Sequence, residues 1–384
     1  MTPRYDVAII GAGIIGLAHA YEAARHGLRT VVYERSPRCE GASIRNFGMV
    51  WVVGQTPGEN LARAKVGRET WLHLCREADL WHDASGSLHL ATHEDELDVL
   101  REFAERGPGL GYDVRLLDRG AVAAISPAAR RDTVLAGLYS ATEVCVDSPR
   151  AIAGLARHLA SRYRVEFRWN ERVSRIEHPA VHSASREGAH VAEAARVLVC
   201  AGHEIEELFP GALAGTGVRR CKLQMMALEA PPPSWKLGPM IAGGLTLRHY
   251  ENFAVCPSLP RVRSRIARDT PDLDRYGIHV LASQHSTGEI IVGDSHEYDA
   301  DITPFDNATI DDLILAELRR LVDLPSWRVV RRWHGLYSKL PGRTVFVDEP
   351  RPGVRLVCAA GGAGMTMAFA LAREWWGGIG GDTP

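Results

Sequence analysis

Lysine is scarce in this chain. Only Lys65, Lys222, Lys236 and Lys339 occur among 384 residues, so arginine carries most of the positive charge, and the formal net charge is −2. That balance gives no electrostatic reason to expect a nucleic acid or an anionic membrane as partner. No apolar run is long enough to cross a bilayer, and the first one begins so close to Met1 that no signal peptide is expected ahead of it. The seven cysteines (Cys39, Cys75, Cys145, Cys200, Cys221, Cys256, Cys358) form no CxxC pair and no metal-ligand spacing. They read as reduced, mostly buried thiols of a cytoplasmic protein that holds no metal. Repeats and low-complexity segments are also absent. Apart from the bend at Pro231-Pro232-Pro233 there is no evident linker, although the length suffices for two domains with proper cores. The chain is therefore expected to cross between domains more than once.

What is present is concentrated at the start. In DVAIIGAGIIGLAHAYEAARHGLRTVVYE the run Val7 to Ile10 reads as a buried parallel strand that leads through Gly11, Gly13, Ile15 and Gly16 into a helix. Gly11 permits the tight turn, Gly13 lets backbone N–H groups approach a pyrophosphate, and Gly16 lets the helix lie close on the sheet. A second strand, Thr30 to Tyr33, delivers Glu34, whose carboxylate can accept both ribose hydroxyls of an adenosine. Arg35 follows that acidic residue, so it does not argue strongly for a 2′-phosphate. The pattern predicts a bound dinucleotide.

A second glycine-rich strand-to-helix turn narrows the choice of dinucleotide. The strand Val354 to Ala359 runs into Gly361-Gly362-Ala363-Gly364 and a helix from Met365 to Trp376. A nicotinamide enzyme needs one cradle. A flavin enzyme also needs donors at the pyrimidine edge, which becomes negative on reduction, and a helix N-terminus supplies them. Between the two turns, the loop Ser36 to Gly58 carries Phe47, Met49, Val50 and Trp51, which suggests that it packs on something flat. From Cys221 onward short alternating segments (222–229, 245–250, 278–282, 290–293) predict an antiparallel sheet with one face covered, followed by a helix at 310–322.

These pieces together resemble the D-amino-acid-oxidase superfamily of FAD-dependent amine oxidoreductases, which includes sarcosine and glycine oxidases. The matching stretches are IIGAGIIGL with Glu34, GASIRNFGMV at 41–50, VLVCAGH at 197–203 and AAGGAGMTMA at 359–368. The resemblance implies an α/β fold: a Rossmann-type FAD-binding domain (1–80, 147–214, 331–384) and an interleaved α+β substrate domain on a mainly antiparallel sheet (81–146, 215–330). It further implies that Ala42, Ser43, Asn46, Phe47, Gly48 and Met49 line the flavin and its ribityl chain, and that Val173 meets the adenine side. Ala201 and Gly202 would meet the pyrophosphate side, and Gly335, Gly362, Gly364, Met365 and Thr366 the flavin, the last four at its pyrimidine edge. RNFGMVW and GQTPGE are similar to a branch associated with bacterial aminophosphonate breakdown. Relatives that tether flavin do so through a cysteine in the segment equivalent to Trp333–Ser338. Here that segment is WHGLYS, so the FAD is expected to be non-covalent. Many relatives keep a carboxylate-binding arginine where this chain has Tyr337, which makes a plain α-amino acid a less comfortable substrate.

The expected reaction is oxidative deamination or N-dealkylation of a small anionic amine related to 2-aminoethylphosphonate, by hydride transfer to flavin N5. The reoxidant is oxygen or another acceptor. Positioning dominates such chemistry, and a phosphonate calls for several converging donors. Arg45, Lys222, Gln224, His249, Tyr250, His334, Tyr337 and Lys339 are the candidates. Plain structural roles also stand open: Arg45 can brace its loop, Lys222 can end a solvated strand, and His249-Tyr250 can be ordinary sheet residues. Three other functions remain as alternatives. One is a sarcosine- or glycine-type oxidase. Another is a flavin monooxygenase, although the Gly-Asp pair and the second cradle usual there are missing. The third is a non-catalytic flavoprotein.

Overall fold

The computed structural model describes residues 2–299, 302–359 and 361–379. Of the motifs above, only Ala360 lies outside that range. Strand β1 (Arg4–Ile10) leads into helix α1 (Ile14–Arg25) and strand β2 (Thr30–Glu34). Val7 to Ile10 are buried, as a strand covered on both faces requires. β1 runs parallel to β2 on one side and to Gly188–Val199 on the other. Glu166–Trp169 adds outside β2 and Val354–Ala359 outside Gly188–Val199, both parallel. Antiparallel strands 172–177, 180–185 and 345–351 complete an eight-stranded sheet.

The second sheet has nine strands, antiparallel except where Met240–Gly243 runs parallel to Ser87–Ala91. Its longest ladder pairs β3 (Arg219–Leu228) with β4 (Val329–Lys339). Because β4 belongs to this sheet, the domain boundary expected at 331 falls inside a strand of the antiparallel layer. Leu245 to Tyr250, expected as a strand, forms short 3₁₀ turns instead. The alternation there does not mark a half-exposed strand, because Leu245, Thr246 and Leu247 are all buried. Thr246 Oγ1 also donates to Gly243 O at 2.6 Å, closing a local turn. A three-stranded patch (Met49–Val50, His82–Asp83, Val144–Val146) joins the cofactor-side loop to the rest.

Helix α2 (Glu59–Glu77) crosses the C-terminal helix α3 (Gly364–Ile379) at Gly67. A Cβ there would stand 2.0 Å from Thr366 O. The crossing is fixed further by Trp71 Nε1, which donates to Met365 O at 2.7 Å, and by Trp51 N, which donates to Thr366 Oγ1 at 2.8 Å. The first turn of α3 is thus set by a contact only glycine permits. Gly67→Ala should cost about 1–3 kcal/mol by overpacking. Gly377→Ala on α3, with nothing within 4 Å of the added methyl, should be neutral or stabilising. Comparative thermal unfolding of the two variants checks this.

Candidate active site

The C-terminal ends of β1 and β2 open into a cavity of about 880 Å³, within the size range of ligand sites and at the edge where a doubly wound sheet binds nucleotides. At Gly11 φ is +105°, and a Cβ would lie 2.6 Å from Cys200 O. A Cβ on Gly16 would lie 2.0 Å from Gly11 O, so the helix rests on the turn itself. Ser43 Oγ accepts from Ile14 N at 2.9 Å, placing the 41–50 loop against the start of α1. Glu34 Oε2 accepts from Ala12 N and Oε1 from Ser36 N, each at 3.0 Å. Burial raises its pKa above the ordinary carboxylate value. Arg35 ion-pairs with Glu204 at 2.5 Å, so its charge is already satisfied.

Ile15, Val173, Ala201 and Gly202 line the same cavity, as do Ala42, Ser43, Asn46, Phe47 and Met49. So do Gly335, Gly362, Gly364, Met365 and Thr366. Gly16 and Gly48 do not. A Cβ at Gly48 (φ +75°) would stand 1.8 Å from Val146 O, so this residue allows a close backbone approach rather than a ligand contact. Asn46 braces its loop by donating to Ala42 O at 2.8 Å and accepting from Gly48 N at 2.8 Å. Trp51, absent from the sequence-based site, closes the cavity with Tyr250. The cradle, the acidic strand end and the start of α3 fit an FAD: β1–α1 for the pyrophosphate, Glu34 for the ribose, and the α3 N-terminus for the pyrimidine edge.

The five substrate candidates on β3 and β4 divide by strand parity. Across the β3–β4 ladder Cys221 faces Tyr337, Leu223 faces Gly335 and Arg219 faces Lys339. Arg219, Leu223 and Met225 line the cavity with Gly335, Tyr337 and Lys339. Lys222, Gln224 and His334 fall on the other face. Lys222 is buried and held by Asp306 at 3.0 Å and by the carbonyl of Phe305. Gln224 bonds Asp311 and Asn307 at 3.0 Å, and His334 Nδ1 meets Asp306 at 2.8 Å. The expectation that these three meet substrate is corrected: they anchor the segment ahead of helix Ala308–Leu321. Counting twos along β3 from Arg219 separates the two sets.

Arg45, His249 and Tyr250 do line the cavity. Arg45 Nη1 donates to His334 O at 3.3 Å. His249 stacks on His279, ring centroids 4.3 Å apart, and His296 lies 4.8 Å from His279. One ring nitrogen from each of the three histidines lies within 4.8 Å of the others. Their positions in the chain are too scattered for any spacing to announce this group. Burial holds His249 well below its ordinary pKa and brings His296 to about 4. Burial likewise pushes Tyr250, Tyr298 and Tyr337 well above the ordinary phenol value, so all three are neutral. All seven cysteines are free and buried, and among the described residues no helix is long and apolar enough to cross a membrane.

Glu34→Ala removes two backbone braces and the carboxylate at the end of β2 together. FAD affinity, measured by fluorescence titration of the apoprotein, should fall by about 2–4 kcal/mol, with no change in substrate preference of the loaded protein. Unchanged affinity would remove Glu34 from the cofactor site.

Sequence comparison finds a glycine oxidase of Geobacillus kaustophilus 28% identical over 179 residues, covering 44% of this chain and 48% of that protein. The aligned stretch thus spans about half of that relative. An opine oxidase component of Agrobacterium tumefaciens is 24% identical over 95% of this chain and 91% of its own length. The crystal structure of the Geobacillus kaustophilus glycine oxidase superposes with a TM-score of 0.76 at 20% identity, over 97% of this chain and 93% of that one. The model of the family described as DAO, FAD dependent oxidoreductase, matches residues 6–375. The chain belongs to that family.

Proposed function

We propose that the protein oxidises a small amine carrying a tetrahedral anionic head group, of the aminophosphonate class, to an imine that water hydrolyses to an aldehyde. One observation carries the reading. Arg45, Arg219, Lys339 and Arg343 all line the cavity, and none has a carboxylate within ion-pair distance among the described residues. Arg35 and Arg172, on the adenosine side, are by contrast neutralised by Glu204 and Glu207. Unpaired cations in a concave site are suited to a ligand that brings its own negative charge.

Tyr337 sits beside the second glycine turn: a Cβ on Gly362 would lie 3.5 Å from its ring. Two residues further along β4, the backbone of Lys339 pairs with that of Gly361. A neutral phenol and an ammonium at this spacing can hold a tetrahedral head group through separate oxygens, whereas a single guanidinium suits a planar carboxylate. Bound FAD supplies the acceptor for the hydride that leaves the substrate carbon. The chain's own groups have only to hold the anion and so set the carbon's position.

A glycine- or sarcosine-type oxidase is the second reading, favoured by the similarity to glycine oxidase. Lys339→Met separates the two, because it keeps most of the stem and deletes the charge. For 2-aminoethylphosphonate KM should rise roughly tenfold or more, equivalent to about 1.4 kcal/mol, with FAD content unchanged. The effect on glycine or sarcosine should be smaller. Equal effects would reduce Lys339 to a general field, and no effect would pass the anion to Arg45 or Arg219.

A further inference from the structure

The cavity wall opposite the glycine turns holds a group that the amine chemistry does not require. His249 follows the turn at Gly244–Arg248, His279 precedes the strand Leu281–Gln284, and His296 precedes Glu297–Asp299. Asp294 joins them, its Oδ1 2.8 Å from His279 Nε2, and both residues are at least nine-tenths buried. Asp294 Oδ1 nevertheless has no hydrogen-bond partner of its own. His296 Nδ1 contacts Gly277 O at 3.1 Å. Its Nδ1 is therefore the N–H and its Nε2 carries the lone pair. A backbone carbonyl orients a ligating imidazole in this way.

Two buried ring nitrogens of this group have no hydrogen-bond partner, His249 Nε2 and His279 Nδ1. Each unsatisfied atom is costly in a folded protein, and here they lie together on the cavity with the third imidazole, where a bound species can reach them. An anion suits the group poorly. An oxyanion needs donors, whereas His296 offers a lone pair here and Asp294 places a buried, unpartnered carboxylate oxygen beside the rings. A cation suits it on every count. Nitrogen atoms around one ion with bonds of about 2.0–2.1 Å stand roughly 3.4 Å apart, so the 4.8 Å limit seen here closes by side-chain rotation of about an ångström.

We propose that His249, His279 and His296, with Asp294 beside them, bind one divalent transition-metal ion at the wall of the cavity. Three imidazoles and a carboxylate belong to the ligand class of zinc, iron(II), cobalt and nickel rather than magnesium or calcium. Any coordination position left open faces the cavity shared with Tyr250 and Tyr298.

The test uses the FAD-loaded protein, stripped with a chelator and then dialysed to equilibrium against micromolar Zn²⁺, with bound metal and flavin both quantified. One equivalent should be retained, and Zn²⁺ affinity should fall at least tenfold in His279→Ala and again in His249→Gln, which keeps a polar side chain of similar length. FAD content and the unfolding temperature report whether each variant is folded. Wild-type retention far below one equivalent would overturn the proposal. So would equal retention by both folded variants, which would assign the metal to other histidines. Binding of inorganic phosphate by metal-free protein that is lost in His279→Ala would also overturn it, making the cluster an anion receptor.

Discussion

The site depends on one steric constraint: at the end of β1 the backbone passes where no side chain fits. Gly11 lies against the carbonyl of Cys200, and Gly16 lies against the carbonyl of Gly11. These two approaches fix the strand Gly188–Val199, β1 and the start of α1 relative to one another. The head of α1 is thereby set at the cavity, where a helix N-terminus can serve as a phosphate cradle. The same device recurs where Gly67 lets α2 meet Thr366 and so holds the first turn of α3. Both helix N-termini on the cavity are thus positioned by contacts that a single methyl group would break.

Against this rigid half, the β3–β4 ladder supplies the chemistry that can vary. Its alternate residues form the wall facing the cofactor cradle, and the intervening ones anchor the segment that leads into helix Ala308–Leu321. The wall carries Arg219, Tyr337 and Lys339.

What is legible in the sequence follows the range of the interactions. The β1–α1–β2 unit and the second glycine turn are local, so their strands, helices and glycines can be read directly. Tyr337 and Lys339 are visible only through a family segment. Residue type alone groups Lys222, Gln224 and His334 with them, yet a one-residue step on a strand reverses the face. Leu245 to Tyr250 reads as a strand because alternating leucines look the same in a buried 3₁₀ turn as in a half-exposed strand. The histidine cluster is not legible at all. It exists only once two loops and a strand end from one sheet converge, and no short spacing encodes that.

The central claim is that the cavity selects amines by a tetrahedral anionic head group. The most direct measurement is anaerobic rapid mixing of the FAD-loaded protein with matched pairs, 2-aminoethylphosphonate and its N-methyl derivative against glycine and sarcosine, while the visible flavin band is followed. The account predicts that the phosphonates bleach the flavin at far lower concentration than the carboxylates. Bleaching by glycine or sarcosine at equal or lower concentration, or by none of the four, would contradict it.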